Sequence, residues 1–304
     1  MISAETEYFD LRYKDLKGKN IILTGGSSGI GHETAKILLK FGSNVIALGR
    51  NREKLQSLEY APGKTGTITI HQCDLQKPTE IKQVFTTILE QLSGRIDGIV
   101  NCAGQSLIKD FQDTTLKDFD DSMNVNVRAA MHIMSMAVPF MKLTGGSIVN
   151  VSASPVPRVR QSVFCVTKAC LDSLTQCSAL ELANFNIRVN GVAPGITDTA
   201  FRINQIERPI DPTTNDICVR ESAKKTLVGG VNTARDVAEA IVWLISDESS
   251  YVTGEIITID GGCSLTTSTS DMLWKTEERK EENVSVIDKG IRALGFGGLF
   301  SKGK

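Results

Sequence analysis

The residues with the plainest capacity for chemistry stand near the start of the chain, where Thr24-Gly25-Gly26-Ser27-Ser28-Gly29-Ile30-Gly31 leads straight into His32-Glu33-Thr34-Ala35. Glycine has no β-carbon, so such a run lets the backbone turn sharply and come close to a pyrophosphate. If a strand enters this turn and a helix leaves it, the unpaired N–H groups opening the helix offer positive potential to phosphate oxygens. A glycine cluster in isolation is weak evidence, and its flanking elements decide it. The cysteines form no comparable pattern. Cys73, Cys102, Cys165, Cys170, Cys177, Cys218 and Cys263 are odd in number, scattered and without a C-x-x-C pair, which argues against a metal site or a disulfide framework. They read as reduced thiols, mostly in the core.

The flanking elements are the right ones. The stretches 20–24, 44–48, 67–72, 96–101, 147–151, 187–192 and 255–259 are brief and rich in Ile and Val, as strands buried on both faces are. Between them, 30–41, 78–92, 116–141, 162–183 and 234–245 carry apolar residues at three- and four-residue spacing, the pattern of helices covering a sheet. Strands alternating with helices imply an α/β fold with a parallel sheet and right-handed crossovers. The glycine run then sits between the first strand and the first helix.

With 304 residues, 41% of them hydrophobic and 23% charged, the chain can bury a core. Its 34 basic and 35 acidic residues nearly cancel, so nothing global steers it toward nucleic acid or an anionic membrane. No apolar run approaches the roughly 20 residues of a spanning helix, and Met1 to Lys19 mixes charges unlike a secretory or transit peptide. A soluble intracellular protein, cytoplasmic by default, is the expectation. Residues 1–19 form a short N-terminal extension, 20–262 the nucleotide-binding domain and 263–304 a longer C-terminal tail. The tail opens with the linker-like SLTTSTS, continues through a charged segment, Lys275 to Glu282, and ends in Lys289 to Lys304, where basic residues and glycines surround Ile291, Leu294, Phe296, Leu299 and Phe300. It reads either as an unstructured end or as a docking peptide that joins the chain to a larger assembly.

Beyond the glycine turn, further motifs carry a resemblance. Asn101-Cys102-Ala103-Gly104 follows the fourth strand, Cys73-Asp74-Leu75 the third, Asn190 and Pro194-Gly195-Ile196 lead to Thr199, and Gly261-Gly262 follows the last strand. With T-G-x-x-x-G-I-G at Thr24 to Gly31, these motifs in this order resemble the short-chain dehydrogenases and reductases over about residues 17 to 262. The resemblance implies a single Rossmann-type, doubly wound domain with a seven-stranded parallel sheet. It also implies a nicotinamide dinucleotide lying along Gly25, Ser27, Ser28, Gly29, Ile30 and Gly31. Asp74 and Leu75 would meet its adenine, Asn101, Ala103, Gly104 and Lys168 would flank it, and Pro194, Gly195, Ile196 and Thr199 would close over the nicotinamide. In family members the helices corresponding to 116–141 and 162–183 form dimers and tetramers, so a homo-oligomer is expected.

Charge distinguishes the two nicotinamide dinucleotides. Folds that select NAD place a carboxylate at the end of the second strand on the ribose hydroxyls, where it would repel a 2′-phosphate. Here that place falls to Gly49, followed by Arg50 and then Arg52. A guanidinium binds a 2′-phosphate through charge-assisted hydrogen bonds, so NADP(H) is expected ahead of NAD(H). The competing role for Arg50 is to cap a helix beginning near Asn51.

The family's reaction centre combines an Asn, a Ser, a Tyr and a Lys four positions after the Tyr. Asn126 and Lys168 match the first and the last. The Tyr position holds Phe164 and the Ser position Ala153, between Ser152 and Ser154, and the ten residues between Ala153 and Phe164 are fewer than the family usually has. Phenylalanine has no proton to give. The resemblance therefore implies an NADP(H)-binding protein with an impaired centre, serving as a structural or nucleotide-responsive subunit. The alternative is an active NADPH-dependent oxidoreductase of carbonyl or enoyl-thioester substrates with another proton source. Arg158 and Arg160, in the altered loop, rim the expected substrate pocket or lie in solvent, and the segment from Ala200 to Val231 corresponds to the family's substrate lid.

Overall fold

Every residue of β1 (Asn20–Thr24) is buried, and successive side chains go to opposite faces of the sheet. Ile21 and Leu23 join one core with Val45, Ala47, Val100 and Val149, while Ile22 joins a second with Ile46, Leu48, Ile99, Ile148 and Val189. A strand apolar on both sides needs cover on both. The structure, a computed structural model, describes residues 12–201, 220 and 223–266. In it α1 (Gly29–Lys40) and α7 (Ala234–Ile245) cover the first side, while α3 (Pro78–Gln91), α5 (Ala129–Met141) and α6 (Ser162–Leu182) cover the second.

The sheet is the doubly wound, seven-stranded one expected. With β2 (Asn44–Gly49), β3 (Thr67–Gln72), β4 (Gly98–Asn101), β5 (Gly146–Val151), β6 (Ile187–Pro194) and β9 (Ile256–Ile259), its order is β3-β2-β1-β4-β5-β6-β9. Every neighbouring pair is parallel. Two-residue strands β7 (Thr197–Asp198) and β8 (Asn232–Thr233) form a separate ladder. The chain winds from β1 outward to β3, then returns to place β4 on the other side of β1. That reversal opens a crevice beyond the strand ends, at Thr24 and its register partner Asn101.

Three expectations change. Burial on both faces fails for β3, whose Thr67, Thr69 and Gln72 are exposed, and for β9, which is only half-buried. Both are edge strands, with a neighbour on one side alone. The stretch 116–141 is not one regular helix: α4 (Leu116–Met123), opened by a Thr115–Asp118 capping box, passes into a π turn at Asn124–Arg128 before α5 begins. One extra residue per hydrogen-bonded ring rephases the side chains, and it does so at Asn126. A short helix, α2 (Arg52–Gln56), follows β2 with Asn51 as its N-cap, the Asn51 side chain accepting the Lys54 N–H at 2.8 Å. The six described cysteines are free, but only Cys73 is fully buried, Cys177 is exposed and the other four lie between, so they are not mostly core.

The residues ahead of β1 pack with the domain. Tyr13 and Leu16 are buried, the Tyr13 ring meets Phe41 edge-on at 5.1 Å, and Lys19 pairs with Asp15 and Asp247. The tail segments Lys275 to Glu282 and Lys289 to Lys304 lie outside the described residues, as does most of the expected lid. Among the described residues no helix is long and apolar enough to cross a membrane.

Candidate nucleotide and reaction site

At the crevice the glycines do work that no other residue type can do. Gly25 has φ +76°, and a β-carbon there would come within 2.9 Å of the Ala103 nitrogen. At Gly31 a β-carbon would lie 2.4 Å from the Gly25 carbonyl oxygen, inside any tolerable contact. The turn is thus wrapped against the segment after β4. Thr24 Oγ1 fastens the two by accepting the N–H groups of Cys102 and Ala103, each at 3.1 Å. No side chain caps the start of α1 at Ser28; the Gly31 N–H turns to the Cys102 thiol, and the N–H groups of Gly29 and Ile30 are left for a ligand. Filling these positions with side chains would remove the cradle, so the residues present fit a dinucleotide pyrophosphate.

A cleft of about 300 Å³ runs along this crevice. It is lined by Gly25, Ser27, Ser28, Gly29, Ile30 and Gly31, by Arg50, Asp74 and Leu75, by Ala103, Gly104 and Lys168, and by Pro194, Gly195, Ile196 and Thr199. The topology thus gathers most of the sequence-derived site residues from the ends of β1, β2, β3, β4 and β6. Asn101 and Asn126 do not line it. Asn101 Nδ2 donates to Asn150 Oδ1 at 2.8 Å, inside the sheet. Asn126 lies beneath Gln105, accepting its N–H at 2.8 Å and donating to its carbonyl oxygen at 2.9 Å and to Thr167 Oγ1 at 2.9 Å. The π turn positions Asn126 to shape the backbone at Gln105.

At the end of β2, Arg50 is exposed at the cleft and does not cap α2, since Asn51 does. Gly49 packs so closely on Ser27 that a β-carbon would sit 3.2 Å from its Oγ. Asp74 is held by its neighbours, its carboxylate accepting the Gln76 N–H at 3.1 Å and its own N–H donating to Glu80.

One end of the cleft is built on α6 and the residue that caps its start, Gln161. Gln161, Phe164 and Lys168 follow at three and then four residues and all line the cleft. Phe164 is 5% exposed, with the Phe201 ring centroid 6.1 Å away and Lys168 Nζ 5.8 Å from its own centroid. Lys168 Nζ donates to the Val151 carbonyl oxygen at 2.7 Å. Burial pushes its ammonium down to about 8, against the pull of Cys102 and Asp172. Burial likewise pushes the Cys102 thiol up to about 12 and raises Asp172.

Ala153 lines the cleft, and the serines beside it are engaged elsewhere. Ser152 Oγ donates to the Lys168 carbonyl oxygen at 3.2 Å, and Ser154 Oγ donates to Asp260 Oδ2 at 2.9 Å. Burial raises Asp260, yet hydrogen bonds from Ser264, Ser154 and Gly262 outweigh it and hold the carboxyl below its ordinary value. Of the two loop arginines, Arg158 lines the cleft while Arg160, at φ +65°, pairs with Asp110 at 2.8 Å. Sequence reasoning missed Gln105, Ser106, Gln161 and Phe201. Only the place of Gln161 one turn before Phe164 was available as a signal.

The comparisons agree with this geometry. Residues 25–264 match the family described as Enoyl-(Acyl carrier protein) reductase. The chain is 36% identical over 254 residues to the 3-oxoacyl-(acyl-carrier-protein) reductase FabG of Thermotoga maritima, a match spanning 81% of this chain and 98% of that protein. It is 36% identical over 258 residues to the Dehydrogenase/reductase SDR family member 6 of Rattus norvegicus, spanning 82% and 99%. A crystal structure of a short-chain type dehydrogenase/reductase from Mycobacterium marinum superposes with a TM-score of 0.75 at 27% identity, covering 84% of this chain and 100% of that one. Strand order, glycine turn and matched length thus converge, and the chain belongs to the short-chain dehydrogenase/reductase family, which binds nicotinamide dinucleotides.

Proposed function

We propose that the protein binds NADP(H) along this cleft with an impaired reaction centre, and acts as a structural or nucleotide-responsive subunit. The observation that carries the reading is Phe164, buried beside Lys168 where family members keep a phenol. A bound nicotinamide dinucleotide supplies or accepts a hydride, and the family's phenol supplies the matching proton. Here Lys168 holds its proton against Val151, Ala153 has no hydroxyl, and Ser152 and Ser154 spend theirs on Lys168 and Asp260. Losing a positioned acid costs on the order of 10²- to 10⁴-fold in rate. Losing one oxyanion donor costs roughly 10²-fold, though the two need not add.

The test is the purified protein with NADPH. Saturable binding by fluorescence, without NADPH oxidation across ketone, aldehyde and enoyl-thioester panels, is the expected outcome, whereas turnover of about 1 per second or faster defeats the reading. Lys168 favours a second reading, an active NADPH-dependent oxidoreductase of such substrates in which this buried ammonium is the acid. Turnover would then fall as pH rises through about 8.

The preference for NADP(H) rests on Arg50 standing free of the α2 cap at the cleft, with Gly49 in place of a carboxylate. Replacing Arg50 by Ala is expected to weaken NADPH binding roughly 10- to 100-fold while NADH binding changes by less than about twofold. Equal losses in calorimetric titrations would refute the assignment. Self-association belongs to the same reading, supported by the exposed Leu116 on α4, Met131 on α5, and Val166 and Leu180 on α6.

A further inference from the structure

His32, half-buried in the first turn of α1, sends its ring back to the glycine turn. Its Nδ1 lies 3.1 Å from the Gly26 carbonyl oxygen. A carbonyl oxygen only accepts, so Nδ1 carries the proton and the imidazole donates. Gly26 is held on its other sides as well. Its N–H and that of Gly25 both donate to the Leu48 carbonyl oxygen, at 3.3 and 2.9 Å, and a β-carbon at Gly26 would lie 3.0 Å from Ala47 Cβ and 3.0 Å from Leu23 Cδ2. With Gly26 seated against β2 and the core, what remains to be set is the tilt of the Gly26–Ser27 peptide. In a trans peptide the carbonyl and the following N–H point in opposite directions. Drawing the Gly26 carbonyl toward the His32 ring therefore turns the Ser27 N–H away from that ring. That N–H donates to no protein group among the described residues, and Ser27 lines the cleft. Ser27 also stands at the end of β2, where Gly49 packs on its Oγ and Arg50 follows.

We propose that His32 is a positioning residue for nucleotide recognition. Its Nδ1–H fixes the Gly26–Ser27 peptide so that the Ser27 N–H is presented beside Arg50, as a second donor to the phosphate that distinguishes NADP(H) from NAD(H). His32 does not line the cleft and acts through the turn alone. A hydrogen bond to a phosphate is charge-assisted and directional, so a tilt of this one peptide is felt in affinity. The ring serves in either protonation state, because an imidazolium also keeps its proton on Nδ1. The role rests on the NADP(H) reading of Arg50 and gives that reading a second, uncharged determinant.

The experiment titrates the full chain and its His32 variants with NADPH and with NADH by isothermal calorimetry. Asparagine carries an N–H donor on the same atom of the side chain as histidine Nδ1, whereas glutamine carries the same amide one atom further out and leucine carries no donor. His32→Leu and His32→Gln are each expected to weaken NADPH about tenfold, the effect of one charge-assisted hydrogen bond, and NADH by less than about threefold. His32→Asn is expected to stay within about threefold of wild type for both nucleotides. Thermal melting confirms that each variant is folded, and the Asn and Gln pair decides the matter if the Leu variant is not. Wild-type NADPH affinity in His32→Gln, a loss in His32→Asn as large as in His32→Gln, or equal weakening of NADPH and NADH overturns the role. Arg50→Ala, titrated alongside, separates the two readings. If it weakens both nucleotides equally, the NADP(H) reading falls by itself, and His32 is then judged by whether His32→Asn restores the nucleotide affinity that His32→Gln loses.

Discussion

Converting Phe164 to Tyr and Ala153 to Ser together is expected to raise NADPH-dependent ketone reduction by at least about 10²-fold over the wild type. The Phe164 ring already sits in the cleft with Lys168 Nζ 5.8 Å from its centroid, so a hydroxyl on that ring projects from a position the ammonium can influence. A neighbouring positive charge favours the phenolate and lowers the phenol's pKa toward neutrality. Serine at position 153 adds the hydroxyl that neither neighbour can lend, since Ser152 is bonded to the Lys168 carbonyl and Ser154 to Asp260. Lys168→Met in the doubly substituted protein should abolish the gain, because the phenol then loses the cation that acidifies it. NADPH oxidation measured under single-turnover conditions reads the chemical step directly. A folded, NADPH-binding double variant with no gain would place the defect in the shortened loop from Ser154 to Gln161 instead of in the missing hydroxyls.

The second large effect is loss of nucleotide binding in Gly31→Ala. The added carbon would lie 2.4 Å from the Gly25 carbonyl oxygen and 2.8 Å from the carbon of the same carbonyl. Both are backbone atoms, and Gly25 cannot yield, because its own turn, at φ +76°, abuts the Ala103 backbone. The turn must open, which moves the N–H groups that begin α1 away from the phosphates they would bind. NADPH affinity is expected to fall at least about 100-fold, with a stability loss of roughly 1–3 kcal/mol from the forced repacking. Gly63→Ala is the control. It shares a left-handed backbone, φ +68°, but has nothing within 4 Å, so its cost is limited to about 1 kcal/mol of strain and NADPH affinity is unchanged. Near-wild-type NADPH binding by Gly31→Ala in calorimetry would mean that the nucleotide does not lie on this turn.

What was legible in the amino-acid order is what depends on neighbours along the chain. The Ile- and Val-rich runs announced the strands, the three- and four-residue spacing announced the helices, and Thr24 to Gly31 announced a turn that only glycine can make, since a positive φ is a property of one residue. The missing proton at position 164 was equally plain, because whether a side chain can ionise follows from its type. The fates of the polar groups around it were not. Ser154 is bonded to Asp260, 106 residues away, and Asn101 to Asn150, 49 residues away, partnerships that exist only once β4, β5, β6 and β9 lie in register. The π turn that puts Asn126 under Gln105 leaves the apolar spacing of the helix nearly intact, so periodicity concealed it. The exposed face of β3 follows from its place at the sheet edge, which strand order alone decides. The chain's own order therefore determined the fold, the glycine turn and the phenylalanine at position 164, through local sterics and side-chain chemistry. Which hydroxyls and amides are spent and which face the cleft was settled by tertiary structure, because a hydrogen-bond partner is chosen by distance in space and not by distance along the chain.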